Sequence, residues 1–287
     1  MKRLILVSLF LLFLALPLLG ESFLESDFFK TIINWGDLSV SAEVKETLPK
    51  IIFEEDDPEY GKPNTATNKS RSDLLARKNA KEKLRKLISR RLESMYLDSE
   101  QTVSEYAKLN EQVRTRINSF IAEEKEEFEF EPVKNQLVAK AKIKLIGKNG
   151  FLAFLPMSYS SEAVPEMTPE LMPEMFTGLV VDARHLNLKT ALFPRIQTDR
   201  GLDIYSPHYV KEGYSIETGY IMYRTDSEEK NWLKRVGDKP FFVVALGVAG
   251  RNQTDLILPS EEVAKLLSHK ETRKNLTRCK VLILVSK

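Results

Sequence analysis

The stretch GLVVDARHLNLKTALFPRI, residues 178–196, decides how the chain is read. Its first four residues are an apolar run, short and β-branched, with the character of a buried strand. Asp182, Ala183, Arg184 and His185 follow directly. In open α/β sheets, ligands bind just past the carboxyl ends of the strands. Asp182, Arg184 and His185 are therefore the candidate ligand-binding residues, and the question is whether they form a working loop or an ordinary strand end.

Downstream of this stretch the pattern is that of a mixed α/β unit. FPRIQTDRGLDIYS reads as two short strands around the turn Asp199-Arg200-Gly201, where glycine supplies the positive φ that a tight hairpin needs. TGYIMYR is a further strand, and DSEEKNWLKRVGD a short helix capped by Asp226 or Ser227. FFVVALGVAG is continuously apolar and reads as one buried strand. TDLILPSEEVAKLLSH passes from strand to helix through Pro259, with Ser260 as the cap. CKVLILVS closes the chain with a strand apolar enough for the middle of a sheet.

The upstream half shows two different periods. IINWGDLSVSAEVK alternates Leu38, Val40, Ala42 and Val44 with polar residues, the period of a half-buried strand. From Ala76, the set Ala80, Leu84, Leu87, Ile88, Leu92 and Met95 recurs at helical spacing, with Ser70 or Ser72 as the expected cap. The opposite face of this helix, residues 78–91, is basic and offers contact with a membrane surface or an acidic partner; the simpler reading is a solvated face. A second helix is expected from Thr102, burying Val103, Tyr106, Leu109, Val113, Ile117, Phe120 and Ile121. EFEFEPVKNQLVAKAKIKLIG then gives a hairpin around Pro-Val-Lys-Asn, apolar on one face and lysine-rich on the other, so the sheet is expected to be covered on one side by the two helices.

Residues 160–175, SSEAVPEMTPELMPEM, carry prolines at 165, 169 and 173, a density that excludes helix and favours an extended connector. The expected organisation is thus a first α/β domain over 23–159, a linker over 160–175 and a C-terminal α/β domain over 176–287. Residues 1–22 read as an export signal: Lys2 and Arg3, an apolar run, then Gly20 and Ser22 at the small-x-small spacing of a cleavage site. An uncleaved segment would instead hold the chain to a membrane, although Pro17 and its length suit a span poorly. The single cysteine, Cys279, lies in an apolar run and excludes an internal disulfide, which suits a bacterial periplasm. The chain carries 43 Lys and Arg against 41 Asp and Glu, and Lys2 and Arg3 account for the excess. Such a balance gives no electrostatic basis for nucleic-acid binding.

NWGDLSVSAEV, LARKNAKEKLRKLISRRLESM with its Ala76-Arg77-Lys78-Asn79-Ala80 stretch, and LVAKAKIKLIGKNGF together resemble the small envelope lipoprotein superfamily that includes the N-terminal domain of the flagellar assembly protein T. TGLVVDARHL, PRIQTDRGLDIYS and RCKVLILVS are similar to the C-terminal half of uncharacterised bacterial envelope proteins that carry the same first domain. The resemblance implies a small α/β sandwich and an envelope or flagellum-associated assembly role through protein contacts, without a catalytic site. The lipidation cysteine found in many members is absent.

Catalytic chemistry finds little in the residues. Strand-Asp-x-x-His is similar to the first ligand region of the zinc-dependent N-acetylmuramoyl-alanine amidases, but Arg184 and Leu186 stand where those enzymes have glycine. A zinc hydrolase needs three converging ligands and an activating carboxylate; the chain has only His185, His208 and His269, with no second ligand motif around the last two. There is no Gly-x-Ser-x-Gly elbow and no phosphate-binding glycine loop. No cofactor and no metal are expected. Asp182 and Arg184 read as a buried structural pair, and the competing reading is binding or hydrolysis of cell-wall glycan at residues 182–185.

Overall fold

The structure is a computed structural model that describes residues 23–26, 31–51, 55–62, 64–123, 126–155, 157–168, 172–225 and 232–286. The export segment, residues 1–22, lies outside these, as do Asp226 and Ser227, the expected helix caps.

An antiparallel five-stranded sheet forms from β1 (Leu24–Ser26), β2 (Ile32–Asn34), β3 (Ser39–Thr47), β4 (Glu127–Glu131) and β5 (Gln136–Lys144), in the order β1-β2-β3-β5-β4. The alternation in the sequence becomes its two faces. Val40, Ala42 and Val44 point inward opposite Ile143, Ala141 and Ala139, while Lys140 and Lys142 point out and meet Glu129 and Asp37. The β4–β5 hairpin turns through Pro132–Lys134, with Asn135 left-handed.

Helix α1 (Ala66–Ser94) lies across β3 and β5, burying Ala76, Ala80, Leu84, Ile88 and Leu92. It starts a full ten residues before Ala76, because Thr65 supplies the cap by accepting the Asn68 N–H at 3.2 Å. Ser72 is inside the helix and donates instead to the Pro49 carbonyl. The expected second helix is two: α2 (Val103–Leu109) and α3 (Glu111–Glu123). Asn110 leaves the helical region (φ −136°, ψ 97°), ending α2, and its Oδ1 accepts the Val113 N–H to start α3. The change of direction swings Leu109 from its expected buried place into solvent, while Val113, Ile117, Phe120 and Ile121 stay in the core.

The second half contains β6 (Leu179–Asp182), β7 (Ile196–Thr198), β8 (Asp203–Tyr205), α4 (Glu212–Thr218), β9 (Met222–Arg224), α5 (Leu233–Val236), β10 (Phe241–Val244), β11 (Gly247–Ala249), β12 (Asp255–Leu258), α6 (Ser260–Leu267), α7 (Lys270–Leu276) and β13 (Val281–Leu284). Strands β10-β6-β13-β9 form a fully parallel sheet, and β11-β12-β7-β8 a mixed one. The fold class is therefore mixed α/β. Apolar β13 sits inside its sheet, as its composition requires. FFVVALGVAG, expected as one buried strand, is divided: β10 is an edge of the parallel sheet, and the chain then crosses into the mixed sheet as β11. Helix α6 is capped not by Ser260 but by Asp199, whose carboxylate accepts the Ser260 N–H and hydroxyl.

One buried cluster runs through both halves, from Ile33 and Trp35 to Ile283 and Val285. Trp35 meets Tyr223 edge-on at 5.0 Å, and Leu192 and Phe193 donate their N–H groups to Tyr96 and Leu97. In the connector, the described residues form neither helix nor strand; Val164 is buried, Glu166 pairs with Arg273 and Glu174 with Lys239. Gly178 opens β6 where a Cβ would stand 2.7 Å from the Lys280 and Val236 carbonyl oxygens, so only glycine fits.

Candidate functional site

The parallel sheet delivers Asp182 to the carboxyl end of β6, between the ends of β10 and β13. Its Oδ1 accepts the Arg184 N–H (3.1 Å) and Nε (2.9 Å), and its Oδ2 accepts Nη2 at 2.5 Å. These hydrogen bonds from Arg184 hold the Asp182 carboxyl below its ordinary pKa, against the opposing effect of burial. The pair is not buried as expected: the Asp182 side chain is 14% exposed, but that of Arg184 is 40%. The turn after β6, closed by Leu186 N–H to Ala183 O, carries both Arg184 and His185 to the surface. Both carboxylate oxygens of Asp182 thus point at its own neighbour's guanidinium.

His269 and His208 make separate local contacts. His269 Nδ1 accepts the Glu271 N–H and caps α7. His208 Nδ1 is 3.3 Å from Ser160 Oγ, a contact between residues far apart in sequence and without any sequence signal. That serine donates to Glu162 Oε1 at 2.9 Å and to the His208 carbonyl at 3.2 Å, so its hydroxyl proton is shared with better acceptors than the ring. Among the described residues no group of three His, Cys, Asp or Glu side chains is placed to hold a metal ion. Cys279 is fully buried, and burial pushes its thiol up to about 11, away from the thiolate.

A cleft of about 380 Å³ opens at the junction of the two halves, floored by Leu97, Tyr106, Met157 and Phe193. Arg195 stands at its side, its N–H and Nε held by Asp255 at 2.8 and 3.1 Å. Asp255 is buried, and burial pushes its carboxyl up while the Arg195 donors oppose the shift. This ion pair fixes the mixed sheet against the turn at Ser99; none of Asp182, Arg184 and His185 lines the cleft.

The most distinctive surface is the outer edge of the parallel sheet at β10, with which no strand among the described residues pairs. Phe241, Val243 and Ala245 turn inward and are buried, and the N–H groups of Phe241 and Ala245 bond to Gly178 and Asp182 of the β6 segment. Their alternates face solvent: Phe242 is 46% exposed, Val244 51% and Leu246 56%. Trp232, stacked at 6.1 Å on Phe242, and half-exposed Leu233 extend this apolar row. Residues 241–250 contain no charge, the feature that usually protects a sheet edge. The apolar run in the sequence conceals this arrangement, because it does not distinguish burial on two faces from burial on one.

The basic face of α1 is largely engaged. Lys81 and Arg85 share Glu126, Lys83 holds Glu46, and Arg91 holds Glu25, which also accepts from Trp35 and Thr190. No helix among the described residues is long and apolar enough to cross a membrane.

No curated protein matches the chain. Residues 178–287, beginning at the glycine that opens β6, match the family model for the second domain of Treponema pallidum Tp0624, and over this segment the chain is similar to that domain.

Proposed function

We propose that this chain is an exported, non-enzymatic component of the bacterial cell envelope, envelope- or flagellum-associated, that works in the periplasm through protein–protein contacts. The observation that carries the reading is the uncharged, half-exposed apolar row of β10, at a sheet edge unpaired among the described residues. Exposed apolar rows on a strand edge are contact surfaces for another polypeptide. The resemblance of residues 23–159 to the envelope lipoprotein superfamily supports the location, as does the signal pattern of residues 1–22. Glycan binding at residues 182–185 is the weaker reading, since Arg184 occupies both Asp182 oxygens.

The test is isolation of the tagged chain from its native envelope beside a Val244→Lys variant. The wild type should retain envelope proteins that the variant loses, at unchanged melting temperature. Equal recovery by both would reject the β10 edge as the contact surface. N-terminal sequencing should place the mature start at Phe23, in the fraction released without detergent.

A further inference from the structure

The free edge of β10 is self-complementary, and this specifies its occupant. In a strand, the N–H and C=O of alternate residues point to opposite edges. Phe241 and Ala245 bond to the β6 segment, so Phe242 and Val244 direct their backbone groups outward. The outward donors end there on both sides. Pro240 has no N–H, and the Leu246 N–H is already given to Ile257 in the mixed sheet. The edge therefore offers two donors and two acceptors, spaced two residues apart.

We propose that a second copy of this chain occupies the edge, its β10 antiparallel to the first about a two-fold axis through Val243. This rests on the reading of β10 as the contact surface. In this register Phe242 of each copy lies opposite Val244 of the other, and all outward donors and acceptors of both residues are used in four hydrogen bonds. The neighbouring registers leave one carbonyl of each copy without a donor. Pairing Phe242 with its own copy sets Val244 opposite Pro240, which cannot donate, and pairing Val244 with its own copy sets Phe242 opposite Leu246, whose N–H is committed.

The side chains agree with the same register. Directly opposed residues of an antiparallel pair share a face, so Phe242 and Val244 of both copies fall on the face that carries Trp232. The two half-exposed rows join into one apolar stripe across an eight-stranded sheet, four strands from each copy. The surface is isologous, as closed two-fold assembly requires. The edge pairs through two outward-facing residues of each copy, few beside the about 20–30 residues a side of a standard stable interface. Dimerisation therefore depends on concentration, and the average mass rises toward twice the monomer across the micromolar range.

The test uses the purified full-length mature chain carrying either Phe242→Cys or Val244→Cys, with Cys279 left in place because it is buried. Under mild oxidation the mixture should form a disulfide-linked dimer at least about ten-fold faster than either variant alone, since each cysteine faces the other's position and not its own. Sedimentation of the unmodified chain should show the concentration-dependent mass, and Val244→Lys should hold it at one chain. A mass of one chain up to about 100 μM, or equal crosslinking in single and mixed samples, overturns the two-fold pairing. If the chain stays single while Val244→Lys still loses its envelope partners, the second copy is excluded and the contact surface stands. If Val244→Lys keeps both its partners and its dimeric mass, both readings fall.

Discussion

Replacing Arg235 with methionine should destabilise the C-terminal half more than its place on a one-turn helix suggests. Arg235 is buried and has no carboxylate partner among the described residues. Its guanidinium instead donates to four backbone carbonyls: Nε to Val281 at 3.1 Å, Nη1 to Thr218 at 2.7 Å, and Nη2 to Gly219 and Tyr220 at 2.8 and 3.0 Å. Burial pulls its pKa down, yet a guanidinium stays protonated, so the site holds a desolvated cation. The planar fork ties α5 to the end of α4 and to β13. Methionine fills much of the volume but donates nothing. Tyr220 O keeps the bond from Tyr205 Oη, leaving the Thr218, Gly219 and Val281 carbonyls without this donor. At about 1–3 kcal/mol per buried polar group left unmade, the loss is about 3–9 kcal/mol. The several kcal/mol of guanidinium desolvation returned on mutation offset part of it. A net loss of about 3 kcal/mol corresponds to roughly 6–12 °C in melting temperature for a chain of this size. Thermal unfolding followed by circular dichroism reads this directly. Arg235→Lys should fall between, because a single ammonium cannot reach all four oxygens. A methionine variant melting within 2 °C of the wild type would show that the four carbonyl contacts add little to stability.

Gly178→Ala should lower stability by about 1–3 kcal/mol in the same assay, because its Cβ would stand 2.7 Å from two backbone oxygens that sit in packed elements. Asp182→Ala should cost only about 1 kcal/mol or less at neutral pH, the scale of an exposed ion pair, since Arg184 keeps solvent contact. The folded-state pKa of Asp182 is depressed, so its contribution is present above the unfolded value of about 3.9 and fades as pH falls through the lower folded value. The stability difference between wild type and variant should accordingly vanish in strong acid, and a difference that grows on acidification would contradict the assignment.

Local patterns in this chain were readable where one element decides the outcome. The alternation of Val40, Ala42 and Val44, the β4–β5 hairpin and the central place of β13 follow from period and apolarity alone. The break at Asn110 did not show, because Val103 to Ile121 keeps helical spacing across it and only the backbone turn exposes Leu109. Asp182 and Arg184 are two residues apart, so their pairing was legible; the exposure of Arg184 depends on the turn that follows and was not. Arg195 with Asp255, Ser160 with His208, and Arg235 with its four carbonyls join positions far apart in sequence, which only the assembled sheets bring together. The edge position of β10 is of the same kind. FFVVAL is equally apolar at an edge or in a centre, and strand order is a long-range property.

The proposed function places the action of this protein at the β10 edge and not at the loop after β6. Site-specific photo-crosslinking in the native envelope tests it most directly, with the photoreactive residue placed at Val244 in one sample and at His185 in another, both exposed positions. Covalent adducts to polypeptide at position 244, with none at position 185, are the predicted result. Adducts at 185 to protein or wall glycan, with none at 244, would contradict it.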